Sequence, residues 1–168
     1  YLAREITNNI TSCKSSKRIL EVGAGIGVFS DEIINNMSTY DQLDLIELEP
    51  DLCEILEKKY KKNPNVHVHC KSIIEWNPKY KYDIIVSGLP FNAFEANFVS
   101  DILKKYELLS KTDCELSFFE YLFMSPFAKK GTTDVVSNFT QKKHAKKSYI
   151  LRNFPPARVY RMKINQTS

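Results

Sequence analysis

Several things are scarce in this chain of 168 residues, and each absence excludes something. Its four cysteines, Cys13, Cys53, Cys70 and Cys114, are scattered with no C-x-x-C pair. That spacing indicates neither a zinc site nor a disulfide framework, so no metal is expected and reduced thiols in a cytoplasmic protein are the simplest account. No apolar run approaches the roughly 18 residues that a membrane-spanning helix needs. There is no internal repeat, low-complexity tract or linker. Histidine is rare too: His67 and His69 alternate along one predicted strand and His144 sits in a lysine run, positions that suit sheet or surface residues better than catalytic bases. An initiating methionine is also missing, so the helix that opens the chain at Tyr1 is expected to be truncated.

With 43% hydrophobic and 26% charged residues, the chain has enough apolar material for one domain with a sizeable core. The pattern alternates strands and helices. Residues 1–12 read as a helix tail, 18–22 as a first strand, and 27–37 as a helix with Phe29, Ile33, Ile34 and Met37 apolar. Strand 43–47 follows. Pro50 then opens a helix whose inward stripe is Leu52, Ile55, Leu56 and Tyr60. Strands at 66–70 and 82–87, a helix at 95–109, a strand at 115–121, a helix at 133–143 and strands at 147–154 and 157–164 complete the reading. This alternation predicts an α/β fold: a mostly parallel seven-stranded sheet, helices on both faces, and an antiparallel ending around Pro155-Pro156.

Glycine is spent densely in one place. Gly23, Gly25 and Gly27 lie between a buried strand and a helix start, where a backbone without Cβ atoms can approach a ligand. A dinucleotide-binding G-x-G-x-x-G would place its third glycine at 28, and that residue is Val28. With Glu21 before it, the G-x-G-x-G spacing instead resembles motif I of class I S-adenosylmethionine-dependent methyltransferases. Leu43–Glu47 is a short apolar strand ending in a carboxylate, about where a nucleotide fold places its ribose ligand. Glu49 is the rival for that role, one strand step further on.

The segment Tyr82–Phe94 runs from a strand into a loop. Many amino-methylating enzymes carry Asn/Asp-Pro-Pro-Tyr or Asn-Leu-Pro-Tyr here, in which a side-chain oxygen and a backbone carbonyl accept from the target amine while a ring stacks on it. This chain has Gly88-Leu89-Pro90-Phe91. Gly88 offers no side-chain acceptor, and an unpaired buried polar group costs about 1–3 kcal/mol, which counts against a nucleobase amine. Phe91 and Phe94 supply an aromatic pocket that suits an alkylamine, since ring faces attract its cationic forms.

Ser87-Gly-Leu-Pro-Phe91, Ala93-Phe94, Tyr121, Ser125-Pro126 and Arg152-Asn-Phe-Pro-Pro-Ala-Arg-Val-Tyr160 together resemble the bacterial phospholipid N-methyltransferases, over nearly the whole chain. That resemblance implies stepwise methylation of phosphatidylethanolamine to phosphatidylcholine, with S-adenosylmethionine as donor and S-adenosylhomocysteine as product. It assigns cofactor binding to Glu21, Gly23, Ala24, Gly25 and Gly27 in the first loop. Glu47 and Leu48, Ser72 and Ile73, and Ser87 complete the cofactor set. Leu89, Pro90, Phe91 and Tyr121 would flank the transferring methyl; Phe91, Phe94, Tyr121 and Arg152 would contact the lipid headgroup. One departure stands out: related folds place Gly-Asp-Ala after the third strand, where this chain has Lys71-Ser72-Ile73. A hydroxyl accepts more weakly than a carboxylate.

The net charge is +4, and Lys129, Lys130, Lys142, Lys143, Lys146, Lys147, Arg152, Arg158, Arg161 and Lys163 cluster late in the chain. An anionic bilayer and a nucleic acid would both be attracted to such a cluster. The expected setting is the cytoplasm, peripherally on the inner membrane. Two other readings stay open: an rRNA adenine N6-dimethyltransferase relative, whose Asn-Leu-Pro-aromatic loop differs chiefly at Gly88, and a non-catalytic lipid- or partner-binding protein.

Overall fold

The computed structural model describes residues 1–10, 15–122 and 129–165; Cys13, Ser125 and Pro126 lie outside the described residues. The element order is α1 (Leu2–Ile6), β1 (Arg18–Val22), α2 (Val28–Asn36), β2 (Gln42–Glu47), α3 (Pro50–Tyr60), β3 (Val66–Cys70) and β4 (Tyr82–Ser87). A single 3₁₀ turn (Phe91–Ala93) leads to α4 (Ala96–Leu109), β5 (Ser110–Tyr121), α5 (Thr132–Lys142), β6 (Lys146–Ile150) and β7 (Ala157–Ile164).

The strands form one sheet of order β3-β2-β1-β4-β5-β7-β6. The first five named in that order pair in parallel, and β7 runs antiparallel between β5 and β6. The seven-stranded, mostly parallel α/β architecture expected from the pattern is therefore present. β1, β2 and β4 are buried almost end to end because both their faces are covered. On one face Leu20, Val22 and Ile85 pack against Val99, Ile102, Leu103 and Tyr106 of α4. On the other, Ile19, Leu45 and Ile84 pack with Ile6, Ile33, Leu56 and Tyr60 of α1, α2 and α3.

Some boundaries differ from the sequence reading. β5 starts at Ser110, five residues early, because Tyr82 pairs with Ser110 before a register shift brings Ile84 opposite Glu115. β6 stops at Ile150, whose partner is Ala157, so residues 151–156 form the hairpin turn rather than more strand. α1 ends at Ile6. The buried stripe of α3 is Cys53, Leu56 and Tyr60, and Ile55 faces solvent. No described helix is long and apolar enough to cross a membrane.

Candidate functional site

The chain leaves β1 for β2 and β3 on one side, then returns to place β4 on the other side of β1. A crevice opens at such a switch point, outside the C-terminal ends of the strands. Here it is a cleft of about 130 Å³ lined by Val22 and Gly23 after β1, Glu47 and Leu48 after β2, Lys71, Ser72 and Ile73 after β3, and Leu89 after β4; Phe94, Phe98 and Ile102 form its remaining wall.

The glycine loop is bracketed by backbone bonds. Gly23 N–H donates to Ile46 O at 2.8 Å, and Gly88 N–H donates to Val22 O at 2.8 Å. Glu47 then gathers the loop: its Oε2 accepts from Gly25 N at 2.7 Å, and its Oε1 accepts from Leu48 N at 2.7 Å and Glu49 N at 3.1 Å. Glu49 itself takes the N-cap position of α3, and the carboxylate in the cleft is Glu47.

The residues fit S-adenosylmethionine on two counts. Gly25 has φ +57°, and a Cβ built there meets nothing within 4 Å, so the loop leaves a cradle that a side chain would fill. An ionised carboxylate offers about four acceptor positions, so Glu47 retains capacity for ribose hydroxyls beyond its three N–H partners. Glu21, expected among the cofactor residues, is not among those lining the cleft: it is fully buried beneath the loop, its Oε2 accepting from Ser30 Oγ at 2.6 Å while its Oε1 has no partner. Burial pushes the Glu21 carboxyl up from 4.5 to about 8, against the Ser30 hydrogen bond that lowers it.

The remaining expected cofactor residues divide. Gly23, Glu47, Leu48, Ser72 and Ile73 share the cleft. Ala24 is buried in the loop. Gly27 does other work. Its carbonyl accepts from Tyr60 Oη at 3.0 Å and Lys59 Nζ at 3.3 Å, and a Cβ on it would strike the Tyr60 hydroxyl, so it lets α2 and α3 meet. Ser87 stands apart from the cleft, fully buried, with its Oγ taken by Tyr106 Oη at 2.9 Å.

Of the expected substrate residues, Phe94 lines the cofactor cleft, edge-on to Phe98 at 5.4 Å. Phe91 is fully buried and packs edge-on to Phe118 at 5.1 Å. It also borders a second, more enclosed pocket of about 60 Å³, together with Pro90, Asn92, Ala93, Phe119, Glu120 and Tyr121. Leu89 therefore faces the cleft and the next residue, Pro90, faces the second pocket. Arg152 is exposed at the turn between β6 and β7, at the same end of the sheet as Tyr121, because Tyr121 pairs with Ala157.

Sequence reasoning missed Asn92, Glu120, Lys71 as a cleft residue, and the Phe98–Ile102 wall. The i, i+4 spacing of Phe98 and Ile102 on α4 was the available signal for that wall. Glu120 is buried on β5, its Oε2 accepting from Arg158 Nη2 at 3.0 Å and Tyr160 Oη at 2.8 Å. The histidines of β3 are sheet residues: His69 Nε2 lies 2.7 Å from Asp44 Oδ1 and His67 bonds Gln42. The late basic cluster is partly neutralised, with Lys129, Lys143, Arg158, Arg161 and Lys163 each paired to a carboxylate. No metal-binding group of acidic, histidine or cysteine side chains occurs among the described residues.

Comparison with known proteins agrees with this geometry. The model of the family described as ribosomal RNA adenine dimethylase matches residues 2–162. The chain is 30% identical over 91 residues to malonyl-[acyl-carrier protein] O-methyltransferase 1 of Ilyobacter polytropus, covering 54% of this chain and 34% of that protein. It is 29% identical over 120 residues to an rRNA adenine N-6-methyltransferase of Limosilactobacillus reuteri, covering 71% and 46% respectively. The matches thus span about a third to a half of these relatives' length. In fold it is similar to the N-methyltransferase NodS from Bradyrhizobium japonicum WM9, with a TM-score of 0.72 at 10% identity over 97% of this chain and 92% of that one. The form of NodS in complex with S-adenosylhomocysteine superposes at a TM-score of 0.69. With its glycine loop, its β2 carboxylate and its strand order, the chain belongs to the ribosomal RNA adenine dimethylase family of S-adenosylmethionine-dependent methyltransferases.

Proposed function

We propose that this chain is an N-methyltransferase whose acceptor is the exocyclic amine of adenine in RNA. The observation that carries the reading is the paired site: a cofactor cleft whose Leu89 wall is one residue from a separate, ring-lined pocket. The match to the adenine dimethylase family over residues 2–162 and the likeness to the Limosilactobacillus reuteri enzyme support adenine as the acceptor. Bound S-adenosylmethionine supplies a methyl made electrophilic by its sulfonium. Gly23, Gly25 and Glu47 would hold it, with Ser72 and Ile73 beside its base. What the protein adds is alignment: Leu89 and Pro90 stand where the donor cleft and the acceptor pocket adjoin in sequence, the place where amine and methyl would have to meet, and the rings of Phe91, Phe119 and Tyr121 keep water from the amine's side. An adenine entering that pocket must first leave its stack, which is least costly in a single-stranded segment.

A second reading, methylation of the phosphatidylethanolamine amine at an anionic membrane surface, is favoured by two specific observations. Gly88 carries no side-chain acceptor for a planar amine. The β6–β7 turn also projects Phe154, 99% exposed, and Leu151, 72% exposed, beside Arg152, an arrangement suited to a bilayer surface. Labelled S-adenosylmethionine offered with unmodified small-subunit ribosomal RNA and, separately, with phosphatidylethanolamine vesicles decides between them. Label recovered as N6-methylated adenosine supports the first. Label in lipid alone overturns it in favour of the second. Cofactor binding without transfer to either leaves a binding module and overturns both.

A further inference from the structure

Gly88 poses a chemical problem that the second pocket answers. An amine about to be methylated must have its N–H held so that its lone pair points at the methyl, and a fixed carbonyl oxygen does this well. Residue 88 has only its backbone carbonyl, with no side-chain oxygen to offer. Its N–H is committed to Val22 O at 2.8 Å, and a Cβ there would lie 2.6 Å from Gly23 O, so the close approach of the two loops forbids a side chain.

Four residues on, Asn92 lines the second pocket, and its Oδ1 is buried with no hydrogen-bond partner. Buried amide oxygens are nearly always partnered, so one left without a donor in a residue that lines a cavity needs an explanation. The pocket of about 60 Å³ is several times the roughly 10–15 Å³ that a single water requires. Its other walls are rings, from Phe91, Phe119 and Tyr121, and the carboxylate of Glu120. The Glu120 Oε2 is held by Arg158 and Tyr160, and Asn92 Oδ1 is the fully buried side-chain oxygen without a partner among the described residues that line this pocket. The 3₁₀ turn of residues 91–93 sets its position, closed by Phe94 N–H to Phe91 O at 3.0 Å and anchored by Lys129 N–H to Asn92 O at 3.3 Å.

We infer that Asn92 Oδ1 is the hydrogen-bond acceptor for the substrate amine, taking over a role that a side chain at position 88 is sterically barred from filling. The inference rests on the N-methyltransferase reading and deepens it: the acceptor pocket is the 90–93/119–121 cavity, and its ligand is a primary or secondary amine with an N–H to donate. One N–H bonds Asn92 Oδ1. The nitrogen lone pair then forms the N–C bond as the C–S bond breaks, sulfur keeps the bonding pair as a neutral thioether, and one N–H proton passes to water. A fully substituted amine has no N–H left for Asn92, so the product loses its hold there.

Asn92→Leu and Asn92→Asp test this. Leucine matches the shape without the acceptor, and aspartate restores an acceptor. Three quantities are read: S-adenosylhomocysteine affinity by calorimetry, melting temperature, and kcat on whichever of unmodified ribosomal RNA or phosphatidylethanolamine vesicles takes label from the wild type. For N92L the expected result is cofactor affinity within twofold, a melting temperature equal to or above wild type because a partnerless buried oxygen is gone, and kcat lower by at least tenfold. N92D should recover most of that loss at alkaline pH and lose it again on acidification as its carboxyl protonates. A wild-type kcat in N92L overturns the inference, and so does a melting temperature that falls in both variants together with kcat. Label in lipid instead of RNA overturns the adenine reading only, and the same variants then decide the role of Asn92 on vesicles. A third readout needs no turnover: with S-adenosylhomocysteine bound, adenosine should shift the Asn92 side-chain amide resonance, and shifts confined to other residues overturn the assignment.

Discussion

The N–H of Gly25 donates to Glu47 Oε2 at 2.7 Å, so the glycine loop after β1 and the carboxylate after β2 are one structure. Replacing Glu47 with Ala strips three backbone N–H groups of their acceptor and removes the proposed ribose ligand at the same stroke. Cofactor affinity should fall at least tenfold, and stability should fall by about 1–3 kcal/mol. Calorimetric titration with S-adenosylhomocysteine and thermal melting measure the two. Unchanged affinity in Glu47→Ala would put the ribose elsewhere.

At Gly25 the expected effect separates differently. A Cβ there enters open space, so packing is undisturbed, yet φ is +57°, a conformation that costs a non-glycine residue roughly 1–2 kcal/mol. Gly25→Leu should therefore melt only modestly earlier than wild type, while its side chain occupies the cradle and lowers cofactor affinity by about a hundredfold or more. A titration showing wild-type affinity would move the cofactor out of this loop.

Gly88→Ala should behave in the opposite manner. Its Cβ meets Gly23 O at 2.6 Å and both backbones are hydrogen bonded in place, so the strain falls on the fold. Overpacking of this kind typically costs about 1–3 kcal/mol, and at this chain length each kcal/mol lowers Tm by roughly 2–4 °C. Gly88→Asn should destabilise at least as much and should not improve methylation of adenine.

Glu21 makes a pH-dependent contribution to stability. Burial raises its folded pKa to about 8 from an ordinary 4.5. Between those values the folded chain holds a proton that the unfolded chain releases, so this contribution is fully present below pH 4.5 and is lost as pH rises to about 8. Glu21→Gln cannot ionise. The difference in stability between Glu21→Gln and wild type should grow across that window by up to a few kcal/mol. Denaturant titrations at several pH values check it, and a constant difference would mean the group ionises freely.

The parts of this molecule legible in its sequence are those whose residues lie close together along it. Gly23, Gly25 and Gly27 announce a strand–loop–helix, and Glu47 ends an apolar strand, so the cleft could be located from two short motifs. Gly27 and Ser87 show the limit of such reading: each sits inside a motif, yet one serves helix contact with Tyr60 and the other bonds Tyr106. The second pocket is harder still, since residues 90–93 meet 119–121 only once β4 and β5 are paired. The start of β5 was misplaced for a related reason. Lys111 and Asp113 break the alternation, and only the register shift opposite Tyr82 explains how the strand continues through them.

The bonds from Gly23 to Ile46, from Gly88 to Val22 and from Gly25 to Glu47 turn the loop into a fixed bracket rather than a flap. A ligand seated on a rigid support loses little main-chain freedom on the protein's side. Its heat of association then reports the contacts made, and amide exchange at residues 23–25 should slow only slightly when the bracket is filled.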